Sequence, residues 1–465
     1  MNYRNRIHYR NTTFLHIGHL QTIYYNNDIA QNHNGQCYVI IDDRSRAESF
    51  TEMKEHFNYL GVTHMQLISV SQYYDRILEY TKELVRDGHI CIQYLLYTEN
   101  HTDRILRNLE HPTNCFQIHL KTNDMPISIG YSREIIGLDN SSYGIVLVFD
   151  YIIKVLDYLL GITNIVTTAQ TDITDPAISS FFNNVITVEQ DILPTYHIDG
   201  FRYSKRDWPN LDEKDPRLLT LPGLRARHVP ATVLYAFYLH SMQTREVKIN
   251  FLETLLRRYL NITCSRICGV VNPIKVYLEN WSEFTTEFVC KPKLPFKNDK
   301  DIQYLVPLSN ELYIDRDDFG FENDTNLSKT NDIKLKYGPT ITCTDVDIEP
   351  GVKEIQAVYN YALSSKTKKC IHWVSSEWGE EPIKVRYYMY NWFYTGINSL
   401  LPVTIRDGFM ENEPFRNLQE IYQLERVGYF IYDETLSQKN RIPCFVRICS
   451  IKNYYADNYE FSSRH

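Results

Sequence analysis

Apolar positions along the first hundred residues switch repeatedly between a run-like and a helical period. The pattern predicts a strand ahead of His16, a helix over Gly18 to Gln31, a strand at Cys37 to Ile41, and helices near Phe50 to Leu60 and Gln72 to Arg86. Strands that alternate with helices imply parallel βαβ units. Between residues 96 and 148 the alternation gives way to polar sequence with weak strand signals at Phe116 to Leu120 and Pro126 to Gly130, as expected of an insertion. It resumes with a strand at Gly144 to Phe149, a helix over Asp150 to Gly161 and a strand at Asn164 to Thr167. Residues 1–95 and 149–215 therefore read as one doubly wound α/β domain interrupted by an insert at 96–148. Residues 216–262 read as helical, with apolar residues at helix spacing in Val229 to Leu239 and Asn250 to Leu260. From 263 to 465 short β-rich stretches recur, such as Lys275 to Leu278, Glu311 to Ile314, Thr340 to Cys343, Lys384 to Tyr388 and Tyr429 to Tyr432, which predicts one or two β-barrels.

Composition narrows the class. With 465 residues, 43% hydrophobic and 23% charged, several globular domains are expected and disorder is not the dominant state. The most apolar stretch, Tyr143 to Ile162, contains Asp150, Lys154 and Asp157, each costing about 2.5–3.5 kcal/mol in mid-bilayer, so no membrane span is expected. The first residues are polar, which leads to the expectation of a cytoplasmic protein. Ten cysteines lie singly, without a CxxC pair, and read as reduced structural thiols with no metal site. A formal net charge of -8 counts against nucleic-acid binding unless Lys and Arg cluster locally.

The sharpest local signal is Phe14-Leu15-His16-Ile17-Gly18-His19-Leu20, set between a strand and a helix. Two imidazoles and free backbone N–H groups at a helix N-terminus can surround an anion and stabilise charge developing on a phosphate under attack. Taken alone, the same residues fit a loop with two satisfied histidines. They are followed by Ile29-Ala30-Gln31, Gly35-Gln36-Cys37 and Asp42-Asp43, then by Phe149-Asp150, Gly161-Ile162-Thr163 and Tyr203-Ser204-Lys205-Arg206. Further on come Asp215-Pro216-Arg217, Leu221-Pro222-Gly223-Leu224-Arg225-Ala226-Arg227, Arg266 with Val270 to Lys275, Val306 to Ser309 with Glu311 to Phe319, Ile371 to Ser375, and Gln423 to Phe430.

In order and spacing these segments resemble the class I aminoacyl-tRNA synthetases, specifically their glutaminyl/glutamyl branch. Ile371-His372-Trp373-Val374-Ser375 and Gln423-Leu424-Glu425-Arg426 favour the glutaminyl family. The resemblance runs from about residue 6 to residue 448 and implies a Rossmann-like catalytic domain with an acceptor-end-binding insert, a helical connecting subdomain and C-terminal β-barrels that bind the anticodon. It further implies ATP-dependent ligation of glutamine to tRNA through an aminoacyl-adenylate, with ATP and Mg²⁺ as cofactors and a monomer as the working unit. Carried over residue by residue, His16, His19 and Lys205 would be catalytic, and His16, Gly18, His19, Ser204, Lys205 and Arg206 would bind ATP. Arg6, Asp42 and Phe149 would hold the amino acid. Arg217, Arg225, Arg227, Arg266, Gln423 and Arg426 would contact tRNA, the last three reading anticodon bases through bidentate contacts to base edges.

The chain also departs from the family pattern. Arg10 stands where a glutamate is usual, Phe149 where a tyrosine is usual, and Arg44-Ser45 where Thr-Asn-Pro is usual; the insert and the stretch between Arg206 and Asp215 are short. Two alternatives follow: a synthetase-like tRNA-binding protein with weakened catalysis, and a synthetase of altered specificity such as glutamate.

Overall fold

In the computed structural model the described residues are 3–9, 15–44, 48–94, 98–112, 115–121, 126–136, 141–168, 175–183, 185, 187–193, 197–199, 212–244, 246–282, 287–292, 303–320, 327–328, 332–347, 354–360, 370–377, 380–390, 393 and 403–451. They form two compact units, Met1–Ile198 with Tyr238–Val247, and Asp199–Phe237 with Lys248–His465.

The first unit is built on a five-stranded sheet. Strand β1 (Arg4–Tyr9) is central, with β2 (Gln36–Ile41) and β3 (Met65–Ser69) on one side and Asn164–Thr168 then Glu189–Leu193 on the other. Every pairing is parallel. Helices α1 (Leu20–Asn32), α2 (Glu48–Leu60) and α3 (Val70–Arg86) alternate with these strands, as the periodicity predicts. Helix α1 is fixed to the sheet by a buried amide chain that apolar patterning does not reveal. Asn5 Nδ2 donates to Asn26 Oδ1 at 2.7 Å, and Asn26 Nδ2 donates to the Val166 carbonyl at 3.0 Å.

A second, antiparallel five-stranded sheet interrupts this unit in the order Thr98–Glu99, Ile90–Gln93, Gln117–Leu120, Ile127–Ile136, Ser141–Leu147. The inserted sheet thus begins at Ile90, ahead of the expected boundary at 96. The run before Phe149 is also corrected: Ser141–Leu147 pairs antiparallel with Ile127–Ile136 and does not join the parallel sheet. A short connection can join antiparallel strands, whereas a parallel pair needs a long crossover. A continuous core containing Ile118, Ile129, Leu147, Tyr151, Ile152 and Leu156 runs beneath the insert and the Phe149–Leu160 helix.

The second unit is largely β. One seven-stranded sheet runs Ser265–Ile267, Ile421–Leu424, Gly428–Tyr432, Cys444–Ser450, Ile383–Met389, Thr404–Met410, Gly269–Val270. Another runs Cys370–Ile371, Ile333–Leu335, Thr340–Asp347, Glu354–Asn360, Pro273–Leu278, Glu311–Asp315, Val374–Ser375. Each encloses its own core, the first around Tyr387, Tyr422, Leu424 and Phe430, the second around Ile274, Leu312, Ile341 and Trp373. The helical stretch ahead of them comprises Leu221–Ala226, Ala231–Thr244 and Ile249–Thr263. Among the described residues no helix is long and apolar enough to cross a membrane, and no three His, Cys, Asp or Glu side chains are grouped to hold a metal ion.

Candidate functional site

In the parallel sheet the strand order changes direction at β1, because β2 and β3 are laid down on one side and the later strands on the other. Ligands of open α/β sheets sit outside the carboxyl ends of the strands at such a switch point. Tyr9 ends β1 there, Asp42 follows the end of β2, and the turn Ile17–His19 leads into α1.

The turn is held by its own histidines. His16 is the N-cap residue; its Nδ1 accepts the Gly18 N–H at 3.1 Å, and His19 Nδ1 accepts the His16 N–H at 3.1 Å. The two rings lie 4.0 Å apart, and Tyr9 meets His19 edge-on at 6.0 Å. Because each Nδ1 accepts a backbone proton, the neutral rings carry their own proton on Nε2. Burial keeps them neutral: the imidazole of His16 is lowered well below its ordinary range, and that of His19 to about 4. At neutral pH this is a pair of uncharged N–H donors on the positive end of a 13-residue helix. The Gly18 N–H, expected to face ATP, is engaged inside the turn by His16.

Two of the three residues expected to hold the amino acid are engaged by other side chains. Arg6 is 1% exposed and grips Asp157 through Nε at 2.6 Å and Nη2 at 3.2 Å, while Nη1 lies 2.8 Å from His8 Nδ1. Its guanidinium is thus engaged in the interior between Asp157 and His8. His8 in turn meets the Phe149 ring edge-on at 5.6 Å. Asp42 faces the guanidinium of Arg44, which donates from Nε at 2.7 Å and Nη2 at 2.8 Å and from Nη1 to the Leu147 carbonyl at 2.7 Å. Arg44 was visible in the sequence as a departure; its partner was not. Arg10, Ser204, Lys205 and Arg206 lie outside the described residues.

In the second unit, strand pairing sets Arg266 directly opposite Gln423. Ile267 and Leu424, the alternate residues, enter the core, so Arg266 and Gln423 share the other face. Gln423 is 7% exposed, and neither its Oε1 nor the Arg266 Nε has a hydrogen-bond partner among the described residues. Arg266 Nη2 donates to Asn261 Oδ1 at 3.3 Å, which leaves one donor and one acceptor open side by side for water or a ligand to meet. Arg426, in a left-handed turn at φ 68, is held by Asp318 through two bonds of 2.7 Å. Lys336 is ion-paired with Glu425. Behind Arg266, a buried group fixes its strand: Lys291 pairs with Glu411 and lies 3.3 Å from Cys268 Sγ, and the Tyr304 hydroxyl donates to Glu411 at 2.7 Å. Burial and then Glu411 raise the Tyr304 phenol far above its ordinary range, so it remains a donor.

The three expected tRNA-binding arginines of the connecting stretch separate. Arg217 is forked onto Asp215 at 2.9 and 2.6 Å. Arg225 lines a cleft of about 450 Å³ with Lys214, His228, Tyr390 and Asp433. Arg227 is wholly buried, donating to the Ile448 carbonyl at 2.8 Å with Phe393 4.2 Å beneath its guanidinium. Its guanidinium is thereby packed inside the second unit, unlike that of Arg225.

Comparison with known proteins gives the class. Residues 4–108 match the catalytic domain of class I tRNA synthetases (E and Q), and residues 264–360 match the anticodon-binding domain of the same synthetases. Two separate stretches of the chain thus match two domains of one class. Among curated relatives, it is 26% identical to the probable glutamine–tRNA ligase of Dictyostelium discoideum, over 94% of this chain and 64% of the relative. It is 24% identical to the glutamine–tRNA ligase of Lupinus luteus, over 95% of this chain and 64% of the relative. It is 25% identical to that of Bradyrhizobium diazoefficiens, over 95% of this chain and 92% of the relative. The chain thus spans less than two thirds of the length of the first two relatives.

Proposed function

We propose that the protein ligates glutamine to tRNA at the expense of ATP. The observation that carries this reading is the neutral His16–His19 pair on the N-terminus of α1 at the switch point of the parallel sheet. The glutamine carboxylate attacks the α-phosphate of ATP, pyrophosphate leaves, and a ribose hydroxyl of the tRNA end then takes the aminoacyl group from the adenylate. His16 and His19 donate from Nε2 to the oxygens that gain charge in the first step, where fixed donors count most. Ser204, Lys205 and Arg206 act on the departing phosphates, and a lysine there is most useful while the transition state carries extra charge. Mg²⁺ would accompany ATP, where it would help to neutralise the phosphate charge. Asp42 receives the substrate ammonium, which must compete with Arg44. Arg266 and Gln423 read an anticodon base; Arg266 falls within the stretch that matches the anticodon-binding domain, and strand pairing sets Gln423 opposite it.

The test is a charging assay with glutamine and with glutamate, at saturating ATP and tRNA, on the parent and on His19→Ala. Esterification of glutamine that falls by about 10²–10³-fold in the variant is expected for loss of a transition-state donor. A second reading, a tRNA-binding protein that no longer charges, is favoured by the engaged Asp42 and Arg6. Intact tRNA binding without charging would select it.

A further inference from the structure

Just past the end of the strand at Leu424, two residues beyond Gln423, Glu425 opens the turn to the next strand and is ion-paired with Lys336. Lys336 begins the turn between strands Ile333–Leu335 and Thr340–Asp347, and the next residue is Tyr337. The turn is fixed by three backbone contacts: the Trp373 indole N–H donates to the Lys336 carbonyl at 3.0 Å, the Lys336 N–H to Ile371 at 2.9 Å, and the Gly338 N–H to Leu335 at 2.9 Å.

Two features mark Tyr337. It adopts φ 64, a left-handed conformation unfavourable to a side chain with a Cβ, at the third position of the turn closed by the Gly338 N–H and the Leu335 carbonyl. Its ring is 41% exposed, with the Lys336 ammonium 5.4 Å from the ring centroid. The Lys336–Glu425 ion pair holds this turn against the end of the strand that carries Gln423, opposite Arg266. An exposed aromatic on a rigid turn, next to a cation and to an unfilled donor and acceptor, suits an unstacked base, because every base has a π-face that can stack on an aromatic ring.

We infer that Tyr337 is a stacking platform for the anticodon base whose edge Arg266 and Gln423 read, and so a further positioning residue for tRNA. The inference rests on the anticodon reading proposed above. Arg266 and Gln423 supply base identity, and Tyr337 supplies affinity that any base can satisfy.

The experiment measures affinity of the full chain for glutamine tRNA and for three versions of it, each lacking one anticodon base. Tyr337→Ala should weaken binding of the intact tRNA about tenfold, and that loss should vanish on one of the abasic tRNAs. Tyr337→Phe and Tyr337→Trp should bind within about twofold of the parent, since both keep a π-face. Tyr337→Gly relieves the backbone at φ 64, so it should melt no lower than the parent yet show the same loss as Ala, separating stacking from folding. Binding by the Ala and Gly variants equal to the parent, or a loss of the same size on all three abasic tRNAs, overturns the inference. Arg266→Ala and Gln423→Ala, tested on tRNAs with one anticodon base replaced, separate this failure from a failure of the anticodon reading. If they lose discrimination while Tyr337 is silent, only the platform is wrong; if they keep it, the anticodon reading falls as well.

Discussion

Arg44 changes what the carboxylate beside it can do. Asp42 is 8% exposed and accepts two charge-assisted bonds from Arg44, so its negative charge is largely cancelled before any ammonium arrives. A carboxylate still has lone pairs to offer, and the expected consequence is weaker pull on a substrate amine, not exclusion of it. Arg44→Thr should therefore lower the KM for glutamine about tenfold with little change in kcat. A rise in KM would mean that Arg44 itself touches the substrate. The histidine pair makes a separate prediction. Since His19 titrates at about 4 and His16 lies well below its ordinary range, kcat/KM for ATP should show no histidine titration between about pH 6 and 8. These depressed values also fix a stability trend. The unfolded chain binds protons first as pH drops below about 6.5, so the histidines' contribution is intact above that pH and is lost toward pH 4. NMR titration of the two rings checks both statements; a midpoint near 6.5 for either would contradict them.

At the scale of elements, the Arg6–Asp157 pair ties β1 to the Phe149–Leu160 helix across 151 residues of sequence. Both side chains are essentially unexposed, so removing one partner leaves a buried charge without its counter-charge. Asp157→Ala should destabilise the first unit by about 3–5 kcal/mol, whereas replacing both residues with apolar ones of similar size should restore much of that loss. Urea unfolding followed by a probe in the first unit tests the contrast; equal damage from the single and double replacements would rule out an uncompensated charge as the cause. The βαβ alternation was legible because local apolar period and local structure coincide from α1 to α3. Ser141–Leu147 was misplaced because an apolar run looks the same in a parallel and an antiparallel sheet, and only its partner differs. Asp157 and the Asn5–Asn26–Val166 chain were invisible for a related reason, since polar groups find their partners only after distant elements pack. The His16–His19 turn was legible because its bonds close within four residues.

Across the whole molecule, a net charge of -8 is compatible with the proposed tRNA partner because of where the cations are held. Arg217, Lys336 and Arg426 are each set against a carboxylate, Asp215, Glu425 and Asp318, and Arg225 opens onto a cleft that also contains Asp433. If the three paired cations contact the proposed tRNA, each would exchange a carboxylate partner for a phosphate or base and release fewer bound ions than a bare basic surface would. Discrimination among tRNAs should therefore come chiefly from open neutral groups such as Gln423.

The first unit is not one continuous stretch of chain: Met1–Ile198 is completed by Tyr238–Val247, where Tyr238 packs against Tyr24 at 5.4 Å and Met242 Sδ accepts the Gln21 amide at 3.3 Å. During synthesis the sheet, the insert and the histidine turn emerge first, yet α1 lacks part of its packing until that later segment has left the ribosome. At about 5–20 residues per second the interval is a matter of seconds, long enough for a nascent α1 with an uncovered apolar side to need a chaperone, and slow codons placed between the two segments would lengthen that exposure.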